Sequence, residues 1–229
     1  MKKYMLFLIC VSILLTVACT IQEYLSQETA SVAIKQDDEY SHLHKTIDNS
    51  ELSWNFILIN NWNCLPENFN VILRETENGE KVDERIFPFL EEMLLDAKNA
   101  GHSPELTSGY RSKKEQQHLF DDRVDEYISV GYSRIEAASL ANEYAAKPGN
   151  SEHETGLAVD INSTSGDSWD LYSWLKDNCH KYGFIVRYPD GKEAITGIQY
   201  EPWHLRFVGK ESAKYIYETG ITLEEYILL

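Results

Sequence analysis

Basic residues are scarce in this 229-residue chain: 21 Lys and Arg stand against 37 Asp and Glu, a formal net charge of -16. A field of that sign repels phosphate backbones, so a general nucleic-acid-binding role is set aside. It constrains a small substrate less, because one local cation can outweigh a distant field. Cysteine is nearly missing from the soluble part. Of four cysteines, Cys10 and Cys19 fall in the leader, and Cys64 and Cys179 are too far apart for a C-x-x-C zinc or redox motif. They are read either as a disulfide or as two buried free thiols. H-E-x-x-H is absent, which removes a thermolysin-like zinc helix. Internal repeats and regular βαβ spacing are absent too, which disfavours solenoids and doubly wound sheets.

No apolar run reaches the ~20 residues that a bilayer-spanning helix needs. The nearest approach follows Lys2 and Lys3: "YMLFLICVSILLTVA", Tyr4 to Ala18, has the length of a signal h-region. It closes on "TVAC", which resembles the lipobox of bacterial lipoproteins, although Thr16 stands where leucine is usual. Three fates fit this leader (residues 1–19): lipidation at Cys19, an uncleaved membrane anchor, or a secreted form. Each implies export, most simply to the extracytoplasmic face of a bacterial membrane. Residues 20–50 are rich in Gln, Glu, Ser, Thr and Asp without a sustained period, and read as a polar tether. His42 and His44 alternate there as strand ligands would, but no partner cluster is nearby, so they are read as exposed linker histidines.

What is present suffices for one well-filled core: 43% of residues are apolar and 12% aromatic, and residues 51–229 read as one domain. "LSWNFILINNW" suits a strand, followed by the turn-forming "CLPENFN". A helix spans about Ile86 to Ala100 and stops at Gly101. "ELTSGYRSKKEQQHLF" reads as a short strand entering a helix, with Ser112 and Glu115 at capping-box spacing, so Arg111 sits at the strand-to-helix turn. Another helix starts at Ser133, with Glu136 in the same role, and runs on towards Pro148. Trp169 to Tyr182 reads as a helix closed by Gly183, and "FIVRYP" and "IQYEPWHLRFV" as strands. From Lys210 a last helix or pair of helices holds little catalytic promise. The class is α+β.

Chemistry concentrates in "SEHETGLAVDI", Ser151 to Ile161. If Leu157 to Ile161 is a strand, Leu157, Val159 and Ile161 face the core while Ala158 and Asp160 face outward. Gly156 can adopt a left-handed conformation that turns the chain so that His153 swings back towards Asp160. An imidazole and a carboxylate suit zinc, but an ordinary hydrogen bond at a turn fits this pair equally well. "YEPWHLR" adds His204 as a third ligand and Glu201, three residues earlier, as a carboxylate base. In a regular strand those two would point to opposite faces; Pro202, which cannot donate to a ladder, marks a bulge that reconciles them. Three ligands leave one tetrahedral position for water, the layout of a catalytic zinc, whose water has a pKa near about 7 and would pass its proton to Glu201. Trp203 is either a wall against solvent or a core aromatic. Arg111 would hold a substrate carboxylate or an oxyanion, or merely be solvated at a helix start. A calcium loop at "DINSTSGD" is set aside, because its glycine arrives late and Leu171 stands where a bidentate Glu belongs. "GDSW" lacks the pattern of a serine nucleophile.

Together and in this order, "SGYRSKKEQ", "SEHETGLAVD" and "YEPWHLR" resemble VanY-type zinc D,D-carboxypeptidases, relatives of VanX dipeptidases and hedgehog amino-terminal domains. The likeness runs from about Leu52 to Gly209, with Cys64 where a proline is usual. It implies a single hedgehog/D-Ala-D-Ala peptidase-like domain whose small antiparallel sheet carries the site, flanked by helices. It implies one zinc ion held by His153, Asp160 and His204, Glu201 as general base, and Arg111 polarising the carbonyl or gripping substrate. Gln116 and Ser151 are implied as further substrate contacts. The expected partners are peptidoglycan stem peptides, with membrane association only through the amino terminus and a monomeric chain. The expected activity is removal of a terminal D-alanine, with a link to glycopeptide resistance. The rivals are L,D-carboxypeptidase action on tetrapeptide stems and a zinc-containing cell-wall binding module without turnover.

Overall fold

A computed structural model describes residues 40–229; the leader, the Cys19 lipobox and tether residues 20–39 lie outside the described residues. The folded unit begins at Leu43. Period-two alternation in four strands builds its central sheet: β3 (Pro104–Ser108), β4 (Ala158–Ser163), β5 (Phe184–Tyr188) and β6 (Glu201–Phe207). All neighbours are antiparallel in the order β3-β4-β6-β5, so β4 and β6 are the two inner strands. Leu106, Val159, Ile161, Leu205, Phe207 and Phe184 share one buried cluster with α1 (Phe87–Asn99) and α4 (Trp169–Asn178). α1 contributes Phe87, Leu90, Met93 and Ala97, and α4 contributes Leu171 and Leu175. Each of these side chains except Ala97 stabilises the fold by about 1.5–3 kcal/mol when buried. Because the apolar set occupies one face, the alternate residues Asp160, His204 and Arg206 are directed to the other.

Two smaller clusters complete the domain. Leu58, Ile185 and Val208 pack with Ala213 and Ile216 of α6 (Lys210–Thr219) and Leu223 of α7 (Leu223–Ile227). Phe120 and Val124 of α2 (Lys113–Ser129) pack with Ala137 and Ala141 of α3 (Arg134–Ala141). Both of these helices start at the expected capping boxes, on Ser112 with Glu115 and on Ser133 with Glu136. A short helix α5 (Glu193–Thr196) precedes β6. The α+β class holds.

Several boundaries differ from the sequence expectations. Residues 52–62 form no ladder beyond an Asn60–Asn63 bridge. Ile57, Leu58 and Ile59 are buried as a strand's would be, but the Asn49 side chain takes both backbone groups of Leu58. The packed domain also starts before Glu51. Leu43 is buried, His44 stacks on Trp62 and bonds the Ala194 carbonyl, and Asn63 holds the backbone at Ile47 and Lys45. His44 is therefore a packed side chain rather than an exposed linker residue. α3 ends at Ala141, well short of Pro148, and turns follow it. The Trp169–Tyr182 helix is α4 followed by a 3-10 turn, Cys179–Tyr182, closed by Gly183 at φ 89°. A hairpin of β1 (Leu73–Glu75) and β2 (Lys81–Asp83) was not anticipated, although Asn78-Gly79 at its tip is a strong turn signal.

Candidate metal centre

The register of the inner strands places Asp160 directly opposite His204. His153 arrives from a 3-10 turn, Glu152–Thr155, that ends on Gly156 at φ 72°. A substituent there would lie 2.9 Å from the Asp83 backbone nitrogen as well as forcing the left-handed conformation, so glycine is required twice over. Glu201 reaches the same face as His204 through an irregularity in β6. Val186 pairs with Leu205 and Tyr188 with Glu201, so two steps along β5 match four along β6, over the stretch that contains Pro202.

His153, Asp160 and His204 each offer one donor atom, all within 4.8 Å of one another. Asp160 Oδ1 lies 3.1 Å from His204 Nδ1, and Asp160 Oδ2 lies 3.4 Å from His153 Nε2. Tetrahedral zinc with bonds of about 2.0–2.1 Å separates its ligand atoms by about 3.3 Å. Asp160 Oδ1 is buried and, for all its closeness to His204, lies outside hydrogen-bond geometry with any partner. An orphaned buried oxygen on a carboxylate that has an imidazole at each of its two oxygens is a poor arrangement for a metal-free polar cluster and a good one for a cation. The N2O donor set fits zinc.

The two imidazoles use opposite nitrogens. His153 Nδ1 lies 2.8 Å from the Gly109 carbonyl, which leaves Nε2 facing Asp160. His204 Nε2 lies 3.7 Å from Glu152 Oε2, which leaves Nδ1 facing Asp160 and Glu201. Tyr188 packs its ring on His204, with centroids 4.9 Å apart. Glu201 Oε2 stands 3.6 Å from His204 Nδ1, close to the donor cluster but outside it.

Charge in the site is strongly perturbed. Burial opposes the Asp160 carboxylate, but His153 and His204 more than offset it and hold its pKa well below the usual range. Burial pushes Glu201 up to about 7, reinforced by Asp160 and resisted by His204 and Arg111. For His204, burial alone would lower the pKa, yet Asp160 and Glu152 raise it to about 9 among the protein groups. Burial also lowers Arg111, against the pull of Asp160, Glu115, Glu80 and Glu201.

Arg111 sits one residue before the α2 cap, and its backbone N–H donates to the His153 carbonyl at 3.1 Å. Its guanidinium donates to Ser108 Oγ (2.9 Å) and Gln116 Oε1 (2.6 Å). Ser108 is available because β3 is bulged: Leu106 pairs with Ile161 and Ser108 with Asp160. Gln116 is buried with its amide engaged at both ends, since Nε2 donates to the Ala146 carbonyl. In this structure it orients Arg111, where a direct substrate contact was expected. Ser151, also buried, begins the turn that carries His153 and makes no capping bond with its side chain. Trp203 is partly buried and lies near Tyr172, with centroids 6.2 Å apart. Cys64 and Cys179 are both free; Cys179 is buried, and Cys64 is exposed rather than buried.

Sequence reasoning overlooked the groups behind the ligands. Glu152 is fully buried and accepts from Arg187 Nε (2.8 Å) and Arg206 Nη1 (2.6 Å). Arg187 also forms a two-pronged pair with Glu224 of α7, at 2.9 and 2.6 Å. The available signal was an arginine inside each of the apolar strands "FIVRYP" and "WHLRFV", because a buried cation requires a buried partner.

A family model described as VanY, D-alanyl-D-alanine carboxypeptidase, matches residues 79–210. The chain is 44% identical over 179 residues to a D-alanyl-D-alanine carboxypeptidase of Enterococcus faecalis, covering 77% of this chain and 67% of the relative. Among solved structures it is similar to a vancomycin resistance D,D-pentapeptidase VanY from a VanB-type cassette in complex with Zn(II). There the identity is 43% and the TM-score 0.74, over 76% of this chain and 99% of the other. VanYB in complex with D-alanine-D-alanine matches at 43% identity and TM-score 0.75, over 76% and 98%. The LdcB LD-carboxypeptidase matches at 34% identity and TM-score 0.64, over 81% and 94%.

Proposed function

The chain belongs to the VanY family of D-alanyl-D-alanine carboxypeptidases, and on that premise we propose that it removes the terminal D-alanine from peptidoglycan stem peptides. It is a zinc metallo-carboxypeptidase. The observation that carries this reading is the convergence of His153, Asp160 and His204 within 4.8 Å, with Glu201 Oε2 3.6 Å from the nearest imidazole nitrogen.

The reaction is hydrolysis: water adds to the carbon of the last amide, the C–N bond breaks, and D-alanine leaves as the free amino acid. Zinc, when held by His153, Asp160 and His204, supplies Lewis acidity and brings the pKa of its water to about 7. Glu201 takes the proton of the attacking water on its carboxylate and returns it to the departing nitrogen. Burial raises its pKa from the ordinary carboxylate range, the direction needed by a group that must hold the proton between the two transfers. Arg111 supplies a fixed cation for the charge that develops on the carbonyl oxygen, or for the terminal carboxylate. Ser108 and Gln116 aim its guanidinium. Ser151, which begins the turn that carries His153, is taken as a further substrate contact on the family resemblance.

L,D-carboxypeptidase action keeps its own support in the likeness to LdcB, but identity and TM-score both favour the D,D-relatives. A binding module without turnover would have no use for a buried Glu201 and an oriented Arg111 beside the metal ligands. Export and tethering rest on Lys2, Lys3, the apolar run Tyr4 to Ala18 and the imperfect lipobox at Cys19. Among the described residues no helix is long and apolar enough to cross a membrane. A role in glycopeptide resistance is supported by the names of the relatives and by the chemistry, since the cleaved product no longer ends in D-Ala-D-Ala. Mass spectrometry of purified pentapeptide and tetrapeptide stems after incubation tests the specificity. The pentapeptide should lose one alanine; loss from the tetrapeptide alone would replace this reading with the L,D one.

A further inference from the structure

His204 presents Nδ1 to the donor cluster, so its other nitrogen must carry the proton and needs an acceptor. Within the described residues, buried His204 Nε2 and buried Glu152 Oε2 are both without a hydrogen-bond partner, and they face each other at 3.7 Å. Glu152 Oε1, by contrast, is doubly engaged by Arg187 and Arg206. Arg187 is clamped from behind by Glu224 of α7, whose Oε1 also accepts from Asn60. Arg206 donates on to the Asn55 and Ile57 carbonyls. One oxygen of Glu152 is thus bolted to two cations and the other is left free, aimed at a histidine three strand residues from Glu201. His153 differs: its far nitrogen meets a neutral carbonyl, that of Gly109.

We propose that Glu152 is a positioning residue for the metal site. Its free oxygen is the acceptor towards which His204 Nε2–H is directed, which fixes the tautomer and ring angle, while Arg187 and Arg206 hold the carboxylate by its other oxygen. This rests on the reading of His204 as a zinc ligand. A carboxylate behind a ligating imidazole raises its donor strength, and removing such a partner commonly costs about 10–100-fold in metal affinity or activity.

The test compares Glu152→Gln with Glu224→Gln, a change in the same buried network that leaves the Glu152–His204 pair in place. Zinc dissociation constants from chelator competition and the visible spectrum of the cobalt-substituted protein are read, with kcat and KM alongside. Glu152→Gln should bind zinc about 10–100-fold more weakly, shift the cobalt bands, and lower kcat with little change in KM. Glu224→Gln should keep the wild-type cobalt spectrum. Wild-type zinc affinity and spectrum in folded Glu152→Gln would overturn the proposal, and so would an equal change in Glu224→Gln, which would reduce Glu152 to a member of a structural network. If Glu152→Gln does not fold, Glu152→Asp takes its place; it keeps a charge for the arginines but cannot span to Nε2, and the same outcomes decide. Failure of the wild type to bind zinc would instead strike the reading of the centre itself.

Discussion

Gly109→Ala tests how the site is held from behind. A Cβ at this position would lie 2.2 Å from the Lys81 carbonyl oxygen, where ordinary contact starts at 3.4 Å, so the backbones must part by about 1 Å. Neither side is free to move. The Gly109 N–H donates to Glu80 Oε2, Tyr110 N–H donates to Lys81 O, and the Gly109 carbonyl meets His153 Nδ1 at 2.8 Å. Overpacking of this kind costs about 1–3 kcal/mol, which for a chain of this size lowers Tm by about 2–12 °C. Displacing the carbonyl also releases His153, and loss of such an outer partner weakens zinc about 10–100-fold. At saturating wild-type zinc, that removes a further ~1.4–2.8 kcal/mol of ligand-linked stability. Thermal unfolding with and without zinc separates the two effects: the variant should be destabilised in the zinc-free state and more so in the loaded state. An equal Tm deficit in both states would refute the link from Gly109 to His153, and no deficit at all would refute the close approach of β2.

Glu201→Gln should lower kcat by about 10²–10⁴-fold while zinc content stays at the wild-type level, as measured by stem-peptide turnover and elemental analysis; retained activity would remove the base assignment. Arg111→Lys keeps a charge but cannot bond Ser108 and Gln116 with a planar fork, so kcat should fall about 10²-fold or more with zinc affinity unchanged; near-wild-type kcat would relegate Arg111 to the helix start. Burial pushes the Cys179 thiol up to about 12, whereas Cys64 is exposed. A thiolate-directed reagent at mildly alkaline pH should therefore label Cys64 and spare Cys179 in the folded protein, as read by peptide mapping. Because the folded value of Cys179 is raised, the stability it brings is complete below the ordinary thiol range and declines as pH climbs towards 12.

The ligand strand was legible because β-periodicity and charge coincide there: Val159 and Ile161 point inward, so Asp160 cannot. The capping boxes at Ser112 and Ser133 were legible because they are local chemistry. The strand expected in residues 52–62 failed because apolar burial can be met without a ladder when an asparagine side chain takes the backbone groups. The tether boundary failed for a related reason: Leu43 and His44 are pinned by residues distant in sequence, Asn63, Trp62 and Ala194, which no local pattern announces. Gln116 was assigned a substrate contact by resemblance, while its geometry assigns it to Arg111. The Glu152–Arg187–Glu224 chain joins three segments up to 72 residues apart, and only the odd arginines in apolar strands hinted at it.

Zinc titration of metal-stripped protein, followed by D-alanine release from a pentapeptide stem, tests the central claim most directly. The account predicts activity that is absent without metal, rises linearly to one equivalent of zinc and then stays flat, with His153→Ala inactive and unable to take up the ion at the same concentrations. Full activity in the stripped protein, or undiminished zinc uptake by His153→Ala, would contradict it.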